Sequence, residues 1–468
     1  MAAATSISAP DRVRIHPATL RGEVRVPGDK SLSHRALLVG ALIGERIAVS
    51  GVAPSGDVAS MAACLRRLGA EVALAPAWKA EDADGADGAD GADEGRVAAP
   101  GSLAGTVRGP LVEPSDVLDC GNSGTALRLL AGVVAGIDGI SVLTGDASLR
   151  RRPVDRVAAP LRAMGAHLDA RDGGRRPPLV VRGGRLTAIA YDSPVPSAQV
   201  KSCVLLAGLA ADGQTTVRSP LVSRDHTERL LGYLGVAVAR SEEADGREVV
   251  RLTPGPLRPR PIAVSGDPSS AAFWLVAAAA GAGEVRIPGV CANPTRLGVV
   301  AALTAMGGEV AVEARGEVAG EPVADLAAAP VALTGAELAG RTVVDAIDEL
   351  PVLALAGAAS RDGLVVRDAA ELRVKESDRI ATLAAALRAV GLEIDERPDG
   401  YRVPGGQRPG PGTVHAHGDH RIAMTAAIAG VLGTGPVEVT GFAAVATSYP
   451  TFLRDLVRLG GTVEVLDA

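Results

Sequence analysis

Aromatic side chains are nearly missing from this 468-residue chain, which has two Trp, four Tyr and three Phe. Proteins that hold single-stranded nucleic acid stack bases on aromatics set in a basic groove. The basic groove is missing too, because Lys and Arg (48) do not exceed Asp and Glu (54). The four cysteines, Cys64, Cys120, Cys203 and Cys291, stand far apart without a CxxC pair, and read as free thiols of a reducing compartment. No apolar run reaches the roughly 18 residues that a membrane span needs. The opening MAAATSISAPDRVRIHP has no charged segment leading into a long apolar one, so no secretory leader is expected. These absences predict a soluble, cytoplasmic protein without nucleic-acid or membrane partners, long enough for two or more domains.

The net charge of −6 is local. Residues 79–94 hold one Lys and seven acids, so the rest of the chain sums to zero. That stretch contains the low-complexity EDADGADGADGADEG, read as a disordered acidic loop.

What the chain has in quantity is small aliphatic residues, arranged in repeats. An apolar helix end, a Gly and the start of a strand recur as CLRRLGAEV, LRAMGAHL, LLGYLGVAV, LTAMGGEV, LRAVGLEI and LVRLGGTVEV. Each Gly stands where a helix C-cap needs one. A second signature, a polar turn opening an Ala-rich helix, interleaves with the first. It reads PGDKSLSHRALLVGAL, CGNSGTALRLLAGVV, VPSAQVKSCVLLAGLA, SGDPSSAAFWLVAAAA, DELPVLALAGAAS and HGDHRIAMTAAIAGVL. Six units, three per half, predict two similar lobes with helices buried on all sides. An eight-unit barrel does not fit a count of six.

The charges at the helix starts have the wrong sign for isolated helices. A helix N-terminus carries about half a positive unit and prefers carboxylates. Yet Lys30, Arg35, Arg128, Lys201 and Arg421 lie at or near the starts of Ala-rich helices. Lys375 and Arg379 come from VKESDRI, which is predicted to open a helix at Ser377. So many cations on N–H-rich helix ends predict a shared site for a multiply charged anion.

Ten segments carry a family resemblance: PGDKS, GNSGTALRLL, RRP (151–153), SAQVK, SRDHTE, GDPSSAA, NPTR, IDELP, VKESDRI and GDHRIAM. In this order they resemble the enolpyruvyl transferase family of EPSP synthases, and GDKS, SAQVK, RDHTE and NPTR resemble its class II subgroup. The resemblance implies an α/β fold of two lobes, each of three βαβαββ units with buried helices (an inside-out α/β barrel), the chain crossing twice. It implies a first lobe over 29–264, the shikimate 3-phosphate side, and a second over 265–468 completed by 1–28. The implied reaction moves the enolpyruvyl group of phosphoenolpyruvate to the 5-hydroxyl of shikimate 3-phosphate and releases phosphate. It proceeds by addition and elimination without metal or organic cofactor, in a monomer.

By the same resemblance Lys30, Ser31 and Arg35 would hold the shikimate hydroxyl and carboxylate. Ser197, Ala198, Gln199 and Ser223 or Arg224 would take its phosphate side, with Asp348 and Lys375 completing that substrate's site. Lys30, Gly124, Arg152 and Gln199 would bind the phosphate of phosphoenolpyruvate, and Arg379 and Arg421 its carboxylate. Asp348 would accept the hydroxyl proton and Glu376 would exchange a proton with the methylene carbon, with Lys30 and Lys375 tuning both. Two substrates bearing two phosphates and two carboxylates account for the cations: Arg suits planar carboxylates bidentately and Lys acts as a movable point charge. Thr447 and Ala198 depart from the wider family, which often has Lys and Ser there; both fit class II.

Other readings have weaker support. HAHGDHR (415–421) offers an HxH pair, but no His follows His420 to complete a zinc set. The sister transferase acting on UDP-N-acetylglucosamine carries a reactive Cys ahead of RPVD, and here Ala147 stands at that place. A non-catalytic anion-binding relative should have lost Lys30, Asp348 or Glu376, and all three are kept.

Overall fold

The helix-ending Gly in each copy of the repeated signature adopts a positive φ in the computed structural model of the chain, which describes residues 10–77 and 101–467. The angles run from 79° at Gly391 to 105° at Gly165, with Gly69, Gly235, Gly307 and Gly460 between. A Cβ is disfavoured there, so Gly stops the helix and turns the chain into the next strand. The acidic stretch 79–94 lies outside the described residues.

The six Ala-rich helices are Lys30–Gly40, Gly124–Val134, Ala198–Gly208, Pro268–Ala277, Leu350–Ala359 and His420–Leu432. Every residue of the Pro268 and His420 helices is buried. Five begin with an Asp or Ser whose side chain accepts a backbone N–H: Asp29, Ser123, Ser197, Asp267 and Asp419. The Leu350 helix instead has Pro351 in its first turn. None of the six has an acid in its first turn, so their positive ends are not offset from within the helix.

Among the described residues the strands form six four-stranded sheets. Each has a parallel pair at one edge and antiparallel pairing in the rest of the sheet. One example places Leu118–Asp119 parallel to Gly139–Thr144, which pairs antiparallel with Arg176–Gly183, itself antiparallel to His167–Ala170. The architecture is α/β with mixed sheets throughout.

The chain divides into two compact units. One comprises Gly28–Ser265 and Glu317–Pro322; the other takes the segment up to Pro27, Gly266–Gly316 and Val323–Ala468. Three sheets and three buried helices belong to each.

Small residues set the helix spacing. A Cβ on Gly132 would lie 2.3 Å from the carbonyl oxygen of Cys203, so the Gly124 and Ala198 helices touch backbone to backbone. The few aromatics are concentrated elsewhere. Phe273, Trp274, Phe442, Tyr449 and Phe452 pack together in the second unit, with Trp274 stacked on Phe452 at 4.9 Å and donating to the Tyr449 hydroxyl at 3.1 Å. The helix predicted from Ser377 begins at Arg379, because the carboxylate of Asp378 caps it by accepting from Ile380 and Ala381 N–H.

Candidate active site

In the unit that contains residues 323–468, three separate elements meet on one guanidinium. Arg379 is the first residue of its helix and is 1% exposed. Its Nε donates to Asp419 Oδ2 at 2.9 Å, one terminal nitrogen to Asp348 Oδ1 at 3.2 Å and the other to Glu376 Oε2 at 2.6 Å. Burial works against its charge, but Asp419, Glu376 and Asp348 together outweigh burial and push the pKa up. Lys375 adds its ammonium 3.5 Å from Asp348 Oδ1. Asp348 lies in the turn before the Leu350 helix, and Glu376 in the bend before the Arg379 helix. Their side chains remain 16% exposed, so both carboxylates are held yet reachable.

Asp419 joins this cluster to the His420 helix. It caps that helix by accepting from Arg421 N–H and also receives the Ser377 hydroxyl at 2.9 Å. Arg421 is 3.9 Å from Glu349 Oε1, and its Nε has no hydrogen-bond partner among the described residues. A buried cation with a spare donor suits a carboxylate ligand.

The other unit holds its cations differently. Arg35 donates to the Thr227 hydroxyl (2.7 Å), the Ser202 hydroxyl (2.8 Å) and the Ser31 carbonyl (3.0 Å). Burial lowers its pKa to about 10, so it stays charged at neutral pH. Arg128 donates to Gln199 Oε1 (2.7 Å) and the Pro153 carbonyl (2.9 Å), and Arg152 to Asn122 Oδ1 (2.5 Å) and the Ser148 hydroxyl (3.2 Å). Gly124 opens its helix beside both: a Cβ there would be 2.8 Å from a terminal nitrogen of Arg128 and 3.4 Å from one of Arg152. Gln199 also donates to Thr125 Oγ1 at 3.1 Å, linking the Ala198 helix to the Gly124 helix. Ser197 caps the Ala198 helix, Ala198 is its first residue, and Lys30 donates to Asp57 Oδ2 at 2.9 Å. Ser223 is 2% exposed and its hydroxyl has no hydrogen-bond partner among the described residues, while Arg224 follows it in the same loop.

One expectation fails. Lys201 was grouped with cations that face a shared anion, but its side chain is fully buried and spent on Glu228 and Glu248. The sequence reading also gave no role to Asp419, Asp57 or Asn122. Asp419 carried a legible signal, as the Asp just before an Ala-rich helix. His34 is buried, with Nε2 3.2 Å from the Ser123 hydroxyl; burial first, then Lys30 and Arg35, lowers its pKa to about 3. In HAHGDHR, His415 and His417 are exposed with rings 6.2 Å apart, and His415 Nδ1 pairs with Thr440 Oγ1 at 2.5 Å.

The family model of EPSP synthase (3-phosphoshikimate 1-carboxyvinyltransferase) matches residues 15–88 and 91–456. The 3-phosphoshikimate 1-carboxyvinyltransferase of Roseiflexus castenholzii is 46% identical over 451 residues, covering 95% of this chain and 98% of that one. The protein of the same name from Gloeobacter violaceus is 47% identical over 442 residues, covering 94% and 96%. Among solved structures, the EPSP synthase of Acinetobacter baumannii superposes with a TM-score of 0.79 at 38% identity, covering 97% of this chain and all of that one.

Proposed function

The chain belongs to the EPSP synthase (3-phosphoshikimate 1-carboxyvinyltransferase) family, and from that premise we propose how its residues divide the reaction. Its activity is enolpyruvyl transfer from phosphoenolpyruvate to the 5-hydroxyl of shikimate 3-phosphate, a step of aromatic amino-acid biosynthesis. In the addition, the hydroxyl oxygen bonds to the central carbon of phosphoenolpyruvate, the hydroxyl proton goes to a base, and the methylene carbon gains a proton. In the elimination, that methyl group gives a proton back and the phosphate leaves.

Asp348 takes the hydroxyl proton and Glu376 serves the carbon. The observation that carries this is their shared tether: both bind Arg379, which fixes their positions while leaving each partly exposed. Lys30 and Lys375 adjust the charge around them. Arg379 and Arg421 take the carboxylate of phosphoenolpyruvate, and Gly124, Arg152 and Gln199 its phosphate, with the Lys30 ammonium joining them. Lys30, Ser31 and Arg35 take the hydroxyl and carboxylate of the shikimate substrate; Ser197, Ala198, Gln199, Ser223 and Arg224 take its phosphate. The unit from Gly28 to Ser265 is thus the shikimate 3-phosphate side, and the remainder supplies the proton-transfer groups.

Among the described residues no helix is long and apolar enough to cross a membrane. The reading places the enzyme in the cytoplasm as a monomer. Ala147, in the exposed turn before Leu149, gives the sister chemistry on UDP-N-acetylglucosamine no reactive thiol. Phosphate release from phosphoenolpyruvate that depends on shikimate 3-phosphate tests the whole assignment. Folded protein that releases none would overturn it.

A further inference from the structure

We infer that Lys201 is a positioning residue for shikimate 3-phosphate, whose buried ammonium ties together the start of the Ala198 helix, the Ser223–Arg224 loop and the Arg35 clamp. The inference rests on the assignment of Ser197, Gln199, Ser223, Arg224 and Arg35 to that substrate. Lys201 has a side-chain exposure of 0% and cannot touch a ligand from the solvent side. Its Nζ is 2.7 Å from Glu228 Oε1, 2.9 and 2.8 Å from the two oxygens of Glu248, and 3.2 Å from the Ser223 carbonyl oxygen. Glu248 Oε2 in turn accepts the Ser223 N–H at 3.3 Å.

Both backbone polar groups of Ser223 are therefore fixed by this one cluster. Its hydroxyl is left buried and, among the described residues, without a hydrogen-bond partner, a state that a phosphate oxygen would relieve. The cluster also reaches Arg35 through sequence neighbours. Ser202, next to Lys201, and Thr227, next to Glu228, are the two hydroxyls that receive the Arg35 guanidinium, and Thr227 donates to Ser202 at 2.7 Å. One ammonium thus spans two helices, a strand and a loop.

Packing alone does not call for this arrangement. Burying charges carries a desolvation penalty of several kcal/mol per ion, and apolar residues of similar volume commonly fill such positions without loss. Two carboxylates on one ammonium also leave a residual charge of −1. Burial pushes the Glu248 carboxyl up, against the pull of Lys201. What the charges supply is direction: Glu248 holds the N–H of Ser223 and Lys201 its carbonyl oxygen.

The test compares Lys201→Met, which leaves two unpaired carboxylates, with Lys201→Met/Glu248→Gln, which restores the native net charge of the cluster. The inference expects the KM for shikimate 3-phosphate to rise roughly ten- to hundredfold in the folded variants, with kcat and the KM for phosphoenolpyruvate within about threefold. An earlier melting transition with an unchanged KM would make Lys201 a packing residue and overturn the inference, as would a fall in kcat alone. Should both variants fail to fold, Glu248→Gln, which keeps Lys201 on Glu228, is judged by the same split, and an unmoved KM overturns the inference. Arg224→Ala and Ser197→Ala separate the two levels. If neither raises that KM, the ligand assignment fails; if they do and the Lys201 variants do not, only the positioning role fails.

Discussion

The two units are built from the same repeat, yet they partner their cations in opposite ways. In the unit with residues 323–468, Arg379 is ringed by three carboxylates, and Lys375 and Arg421 also sit near acids. In the unit from Gly28 to Ser265, Arg35, Arg128 and Arg152 donate to hydroxyl, amide and carbonyl oxygens. Neutral acceptors hold a guanidinium in place without themselves cancelling its charge. Carboxylate partners cancel the charge but create a place where protons can be exchanged. On the proposed assignment the same helix start serves as an anion cradle in one unit and as an acid–base centre in the other. Lys201 and Lys30, each on carboxylates, depart from this pattern within the same unit, as do Arg229 and Arg240 on Asp225.

The contrast predicts that neutral substitutions in the two units damage different kinetic constants. Glu376→Gln keeps an oxygen for Arg379 but removes the exchangeable proton. Turnover should fall by roughly two to four orders of magnitude, with both substrates still bound. A loss under tenfold would make Glu376 a structural partner of Arg379 and erase the contrast. Arg152→Gln should act on binding instead. Losing a charged donor to phosphate is worth about 1.5–3 kcal/mol, so the KM for phosphoenolpyruvate should rise roughly ten- to hundredfold. If kcat falls as far as KM rises, Arg152 stabilises the transition state and the division by unit is too simple.

The repeated elements were legible in the sequence because each rests on a local rule. The Gly that ends each helix needs a positive φ, and the Asp or Ser at five of the six starts accepts a backbone N–H, so Gly391 and Asp29 announce themselves without tertiary knowledge. The partners of the cations were not legible. Glu376 stands three residues before Arg379, but Asp348 and Asp419 lie far from it in the chain, and nothing in their spacing says that they share its guanidinium. Lys201 was misjudged for the same reason. Its position in the first turn of an Ala-rich helix matches that of an anion ligand, and only the fold shows that it faces Glu228 and Glu248. Local propensity places a residue on a helix, while tertiary packing decides what its charge meets.

His34 lies buried beside two of these cations. Its folded pKa of about 3 lies below the ordinary 6.5, because burial and then Lys30 and Arg35 oppose a further cation. Between these values the unfolded chain binds a proton that the folded chain refuses. Stability should therefore fall with pH from about 6.5 downward, by up to about 1.4 kcal/mol per pH unit from this group. Burial pushes the carboxyls of Glu248 and Asp455 up, so they titrate in the opposite sense. Urea unfolding of the native protein and of His34→Gln across pH 4–7 cancels those groups in the difference. A difference that does not change with pH would show that His34 titrates alike in the folded and unfolded chain, so that neither burial nor the neighbouring cations depress it.

The smallest expected effect concerns Gly124, where the cradle meets an inhibitor. Within this family glyphosate mimics phosphoenolpyruvate but is slightly longer, and some class II relatives carry Ala at this position. An added Cβ would meet the tip of Arg128 at 2.8 Å and that of Arg152 at 3.4 Å, rather than backbone. The methyl group is thus accommodated by moving a flexible guanidinium, at the expense of the Arg128 contact with Gln199. Phosphoenolpyruvate should feel this displacement, because its phosphate is assigned to Arg152 and Gln199. The longer ligand has less room beside the same cations, so a fixed intrusion should penalise it more. Gly124→Ala should raise the KM for phosphoenolpyruvate a few-fold and the glyphosate inhibition constant by a larger factor. Steady-state inhibition of both forms measures the two shifts together. Equal shifts would mean that the methyl acts only by displacing Arg128, and that the cradle does not sense ligand length at this point.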